Sequence, residues 1–302
     1  MRLFYSDIYR VPLPQGHAFP MEKYTLLRKR VMESHLFDPT DLRLPRAASD
    51  EELGLVHTSD YLRRVTNGLL TKKEILRLGL PWSSALVTRA RSSCGGTIEA
   101  AKTALREGIA VNLAGGTHHA FHDHGEGYCL FNDCAVAARL LQEEGLVTRV
   151  LIIDCDAHQG NGTAAIFQND PSVFTFSIHG AKNFPLRKES SDLDIPLDDG
   201  TRDEAYLKAL EEGLVQALER AEADLVFYIA GADPHEGDRL GRLSLSMEGL
   251  ARRDDLVLSL CGRRRGLPVA VTMGGGYGRR LEDTVAIHFQ TVCISRAFQE
   301  AL

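Results

Sequence analysis

The chain has 302 residues, of which 44% are hydrophobic and 25% charged, an ordinary globular balance that excludes disordered and fibrous classes. Lys and Arg number 35 against 41 Asp and Glu, a net charge of −6 with His neutral, so no basic excess exists to neutralise phosphates and general nucleic-acid binding is excluded. At this length one or two domains, or one large α/β domain, are expected.

The first residues carry no apolar stretch of the kind a signal peptide needs, and no run approaches the ~18 apolar residues of a membrane span. Residues 1–80 show no clear period. Their opening, with Pro12, Pro14 and Pro20, reads as a loop lining something rather than an independent domain. From there helical patterns at 85–107, 135–144, 203–221, 247–261 and 281–298 alternate with short apolar runs. Those runs, at 109–113, 150–153, 173–178, 225–229 and 269–272, lack polar alternation, as strands buried on both faces do. Strands alternating with helices of this length predict a single α/β domain over residues 1–302. Its parallel sheet is flanked by helices on both faces.

Each good strand runs into a polar or Gly-rich cluster: His118-His119, Asp154 to His158, His179, Asp233, and Gly274 to Tyr277. In open parallel sheets ligands sit outside the carboxyl ends of the strands, so one edge is expected to carry the site. Asp154-Cys155-Asp156-Ala157-His158 spaces acid, acid and imidazole by two, which in an extended segment turns all three to one face. With Asp233 at another strand end, Asp156 and His158 form a suitable Zn²⁺ set that leaves a position for water. The competing reading is an acidic loop capping nearby helices. A two-metal site would need further acids, but Gln159-Gly160-Asn161-Gly162 follows His158 and Pro234-His235-Glu236 follows Asp233.

His118-His119 reads as an acid–base pair beside a metal-activated water, or else as a second metal site or a surface pair. His122 and His124 read as loop residues. Gly274-Gly275-Gly276-Tyr277-Gly278 is no dinucleotide fingerprint, because position 279 is Arg. Its glycines let backbone approach a site, and Tyr277 offers a hydroxyl to a developing oxyanion. No G-x-S-x-G elbow or phosphate loop is present. The six cysteines form no C-x-x-C pair and read as reduced thiols of a cytoplasmic protein, Cys155 as a small buried residue at a strand end. Arg263-Arg264-Arg265 and Arg279-Arg280 read as solvated helix ends.

Taken together, Gly115 to His119, Gly127 to Asp133, Asp154 to Gly162, Gly231-Ala232-Asp233 and Gly274 to Tyr277 resemble the zinc-dependent histone deacetylase family of the arginase/deacetylase fold. The resemblance spans about residues 15–295. Asp156-Ala157-His158-Gln159-Gly160-Asn161-Gly162 and Glu236 to Gly241 resemble its class IV branch most. The resemblance implies one catalytic Zn²⁺ on Asp156, His158 and Asp233. His119 would act as general base and then acid, with His118 assisting, oriented by Asp154. Tyr277 would donate to the substrate carbonyl. Gly127, Tyr128 and Gly275 would contact substrate, with Phe184 facing the acyl-lysine channel. A structural K⁺ would use carbonyls of Asp154, Asp156, His158 and Ile178 near the Ser177 hydroxyl. The implied reaction is hydrolysis of ε-N-acyl-lysine in a protein or peptide, with long-chain acyl groups open. Two alternatives are a deacetylase of small amines such as acetylpolyamines, with Glu236 or Asp238 reading a distal ammonium, and a non-catalytic scaffold. The oligomeric state stays open. Two departures stand out: Asn161 replaces the class I Asp beside the second histidine, and 78–83 lacks the acid of the class I rim loop.

Overall fold

An apolar strand without alternation can satisfy both its faces only between two layers of helices. The computed structural model, which describes residues 1–301, has that arrangement. Its strands are β1 (Leu3–Phe4), β2 (Leu42–Arg43), β3 (Ile109–Asn112), β4 (Val150–Asp154), β5 (Val173–Gly180), β6 (Leu193–Leu197), β7 (Leu225–Ile229) and β8 (Val269–Thr272). They form one eight-stranded parallel sheet in the order β2-β1-β3-β8-β7-β4-β5-β6. Along β4, Leu151 and Ile153 enter one core while Val150 and Ile152 enter the other, so the run is apolar throughout.

The helices are α1 (Glu22–Glu33), α2 (Asp50–Gly54), α3 (Ser59–Thr66), α4 (Lys72–Leu78), α5 (Ser84–Glu107), α6 (Asp133–Glu143), α7 (Asn161–Ile166), α8 (Asp203–Ala221), α9 (Met247–Leu258) and α10 (Leu281–Glu300). Side chains of α2, α3, α5 and α6 build the core on one face of the sheet, and those of α1, α8, α9 and α10 build the other. The Pro-rich opening is a loop over residues 5–21 that lines a surface cleft, and α1 to α4 follow it, with capping boxes starting α2 (Ser49, Glu52) and α4 (Thr71, Glu74). One expectation needs correction. The helix predicted over 247–261 ends as an α-helix at Leu258 and continues as a π-helical turn, Ser259–Arg264. The six cysteines form no disulfide, and among the described residues no helix is long and apolar enough to cross a membrane.

Register positions the site. β3, β8, β7 and β4 lie side by side, and their pairing sets Asn112, Thr272, Ile229 and Asp154 in one row. The four loops that follow this row therefore leave the sheet together at its carboxyl edge.

Candidate active site

β4 ends where the Asp156 N–H donates to Asp154 Oδ1 (3.1 Å), an Asx-type turn that bends the chain out of the strand. This corrects the expectation of an extended segment: Asp154 faces His118, while Asp156 and His158 face Asp233 from the end of β7. His158 Nδ1 lies 3.0 Å from Asp156 Oδ1 and 3.1 Å from Asp233 Oδ2, and one donor atom of each residue lies within 4.8 Å of the others. Both carboxylates are buried. Burial and the Asp156 charge push the Asp233 carboxyl up to about 7. Burial opposes charge on His158, yet its hydrogen bonds with the two carboxylates and their charges hold it well above its ordinary value. Two buried acids converging on one imidazole nitrogen are strained as a proton-sharing cluster and suited to a divalent cation.

Backbone fits tightly around this cluster. The Gly275 N–H donates to Asp156 Oδ2 (2.7 Å), and a Cβ at Gly275 would sit 2.1 Å from Asp233 Oδ2. The Ala157 N–H donates to Asp233 Oδ1 (2.8 Å). Behind, the fully buried Arg253 of α9 donates through Nη1 to the carbonyls of Gly231 (2.5 Å) and Cys155 (3.3 Å) and pairs with Asp254 (2.8 Å). It ties the β7 loop to the β4 loop.

The loop after β3 is braced by Asp133 at the start of α6, which accepts from the N–H groups of Gly116 (3.0 Å) and Thr117 (2.7 Å). It delivers His118 and His119, both buried, with ring centroids 4.0 Å apart. His118 Nδ1 meets Asp154 Oδ2 at 2.6 Å. Burial disfavours its charge, but the Asp154 and Asp156 carboxylates outweigh that and raise it to about 9. His119 Nδ1 donates instead to the Asn161 side-chain oxygen (2.6 Å), which leaves Nε2 a lone pair. Burial, then the charges on His118 and His158, hold His119 well below its ordinary value. Adjacent residues are thus set in opposite states, a charged imidazolium and a neutral base.

Tyr277 stands opposite, its ring 6.4 Å from His158 and 5.8 Å from Tyr128. Burial and the nearby Asp156 and Asp233 carboxylates push its hydroxyl pKa well up, so it stays a proton donor. His119, His158 and Tyr277 line both an outer opening of about 470 Å³ and an inner cavity of about 60 Å³. Gly127, Tyr128 and Phe184 wall the opening, and the Phe184 ring meets His119 edge-on at 5.0 Å. Gly127 has φ +54°, and a Cβ there would lie 2.5 Å from the His119 ring. Gly275 lines the inner cavity rather than the opening. His122 binds the Val56 carbonyl and His124 stacks on Phe121, both as loop residues. Asp238 is buried and accepts from the N–H groups of Tyr277, Leu240 and Gly241, while Glu236 is exposed, and neither lines either cavity.

Two charged residues of the inner cavity escaped the sequence reading. Lys23, 1% exposed, donates to the carbonyls of Gly274 and Gly276 at 3.4 Å. Arg89 lies against the Tyr24 ring (4.2 Å) with one guanidinium nitrogen lacking a hydrogen-bond partner. A signal for Lys23 existed. It occupies the same stripe of α1 as the buried Leu27 and Val31, a charge at a core position.

A profile of the histone deacetylase domain matches residues 17–292. The chain belongs to the histone deacetylase family. It is 47% identical over 284 residues to an uncharacterized protein of Picosynechococcus sp., covering 94% of each chain. It is 33% identical over 296 residues to the acetoin utilization protein AcuC of Bacillus subtilis, covering 90% of this chain and 76% of that one. A crystallised HDAC homologue complexed with SAHA superposes with a TM-score of 0.84 at 27% identity, covering 98% of this chain and 84% of that chain. The sheet is therefore that of the arginase/deacetylase fold, and this member of the histone deacetylase family is a hydrolytic deacetylase acting on amide bonds. The family is metal-dependent, and the buried Asp156, His158 and Asp233 can bind a metal.

Proposed function

We propose that the protein hydrolyses the side-chain amide of ε-N-acyl-lysine in a protein or peptide, releasing lysine and a short carboxylic acid, with Zn²⁺ held by Asp156, His158 and Asp233. The observation that carries this reading is the placement of a neutral His119 and a protonated Tyr277 beside the donor cluster, where an open mouth meets a small inner cavity. When bound, the metal supplies Lewis acidity toward water and the amide carbonyl. His119 Nε2 takes a proton from the attacking water and later delivers it to the departing lysine nitrogen. His118 remains charged against Asp154 and favours the return of His119 to its neutral state. Tyr277 donates to the carbonyl oxygen as negative charge develops there. Tyr128 and Phe184 flank the lysine stem in the mouth, and the acyl carbons enter the inner cavity.

That cavity, about 60 Å³ with Lys23 and Arg89 in its wall, has room for a few water-sized groups and favours acetyl over a fatty chain. A structural K⁺ on the carbonyls of Asp154, Asp156, His158 and Ile178, near Ser177, belongs to the same proposal. Among the described residues no turn or side-chain donor meets the Asp156 or His158 carbonyls, which leaves them open to a cation. A reducing, cytoplasmic setting is also part of it, supported by six cysteines without a disulfide.

The test is one peptide carrying acetyl-, octanoyl- or myristoyl-lysine, incubated with zinc-loaded protein and followed by mass. Acetyl-lysine should be cleaved fastest, myristoyl-lysine not measurably, and Asp233→Ala should abolish cleavage. Tyr277→Phe should lower turnover on the order of 10²–10³-fold while zinc stays at one per chain. Full turnover in Tyr277→Phe, or zinc lost from it, removes Tyr277 from the assigned role. No cleavage of any acyl-lysine peptide by zinc-loaded protein removes the lysine reading.

A further inference from the structure

The wall of the outer opening carries a charge that amide hydrolysis does not require. Arg77 at the end of α4, Lys182 after β5 and Arg242 all line it, and no carboxylate does. Beside them stand Leu76 and Leu186, 83% and 95% exposed, with Leu240. The chain as a whole carries −6, so the mouth opposes the sign of the molecule around it. Arg242 is 3.1 Å from Asp199, but among the described residues neither Arg77 nor Lys182 has an ion-pair partner. Two acids close in sequence to lining residues are otherwise engaged: Glu126 faces His124 (3.7 Å) and Asp238 is taken up by backbone N–H groups. Two further exposed cations, Arg187 and Arg239, adjoin the lining residues Leu186 and Leu240 in sequence.

We propose that this rim docks acyl-lysines set in acidic, apolar-flanked peptide segments and repels polycationic amides such as acetylpolyamines. The proposal rests on the lysine deacylase reading and specifies its substrate class. A carboxylate one or two residues from the acyl-lysine enters the opening that Arg77, Lys182 and Arg242 line, where these cations attract it. An adjacent apolar side chain covers Leu76 or Leu186. The distal ammonium of a polyamine meets the same cations and finds no acid in the lining to receive it. Exposed charges of this kind act mainly on encounter and positioning, so the effect belongs in KM and must weaken with salt.

The experiment compares three acetyl-lysine peptides of equal length whose flanks are Asp-Leu, Ala-Leu or Lys-Leu, together with an acetylspermidine, using zinc-loaded protein. kcat/KM should fall from the acidic to the basic peptide by roughly tenfold or more at low salt. The difference should reside in KM and shrink at high salt. Arg77→Glu/Lys182→Glu should reverse the order of kcat/KM among the three peptides. Equal kcat/KM across the three, a preference for the basic peptide, or acetylspermidine cleaved as well as the acidic peptide overturns the proposal. Binding is measured in parallel by fluorescence anisotropy with the same peptides, their amide replaced by a non-hydrolysable methyl ketone. Should no peptide be cleaved, the lysine deacylase reading fails and binding alone decides the rim. Tighter binding of the acidic peptide upholds it, and equal binding overturns it.

Discussion

The contact between His119 and Asn161 sets the working range of the base. An Asn oxygen accepts the Nδ1 proton but adds no charge, so its hydrogen bond and the Asp156 carboxylate fall short of the burial and the neighbouring positive histidines that hold His119 low. An Asp at the same place would add a carboxylate 2.6 Å away and raise the His119 pKa. Since the base must start neutral, activity is lost as pH falls through that pKa. Asn161→Asp should therefore move the acidic limb of the kcat/KM profile to higher pH, by a unit or more (~1–3 units for an adjacent opposite charge). The alkaline limb and zinc content should stay in place. An acidic limb that does not move, or moves to lower pH, would show that His119 is not the group titrating there. Asn161 is legible as a departure from the family spelling that implies a more readily neutral His119, and the structure adds that the contact is made through Nδ1, leaving Nε2 to act.

Among the elements, the junction between α2 and α3 carries a histidine that only its neutral form can satisfy. The His57 Nδ1–H donates to the Phe121 carbonyl (2.9 Å), and Nε2 accepts the Asn132 N–H (3.1 Å). Asn132 in turn caps α6 and reaches Ala120 and Thr163, so His57 fastens the N-terminal helices to the loop beyond His119. Burial lowers its pKa to about 4, against 6.5 for a free imidazole. As pH falls below about 6.5 the unfolded chain takes up this proton before the folded one does, so stability is full above that pH and declines toward pH 4. At pH 5 the loss from this group is about 2 kcal/mol. His57→Gln keeps a donor and an acceptor without titrating. The drop in urea-unfolding stability between pH 7 and pH 5 should be smaller in the variant by about that amount. An identical drop in both proteins would remove His57 as its source. The same junction marks the limit of sequence reading. The five central strands are legible because double-sided burial makes each one a continuous apolar run. β1 and β2 are two residues long, and β6 is a half-exposed edge strand containing Pro196, so none of them bears that mark. The capping boxes at Ser49 and Thr71 were readable signals for α2 and α4. The apolar runs they introduce are too short to show a period. Arg253 and Asp133 are invisible for another reason: each acts on loops distant in sequence and meets them only when the strands align.

For the molecule as a whole, strand register gathers two buried carboxylates at one point of the sheet edge, where His158 meets both and His118 reaches Asp156 at 4.0 Å. Burial of like charges opposes folding unless a cation joins them. A metal that binds the folded chain and not the unfolded one adds stability by mass action, about 2.7 kcal/mol at a hundredfold excess over its Kd. For a chain this long each kcal/mol is worth about 2 °C in Tm. Chelation should therefore lower the Tm of the wild-type protein by about 5 °C or more. Asp233→Asn preserves the side-chain shape but removes one of the opposing charges and a metal ligand. Its Tm should be indifferent to chelator and should lie above that of the chelated wild type, because relieving the repulsion outweighs the lost contact with His158. Calorimetry on both proteins, with and without chelator, reads all four values. If the wild type melts at one temperature throughout while analysis shows the metal removed, metal binding is not linked to folding. If chelated Asp233→Asn melts below chelated wild type, the Asp233 carboxylate stabilises the fold in its own right, through Ala157 N–H and His158, and the cluster is not held against repulsion.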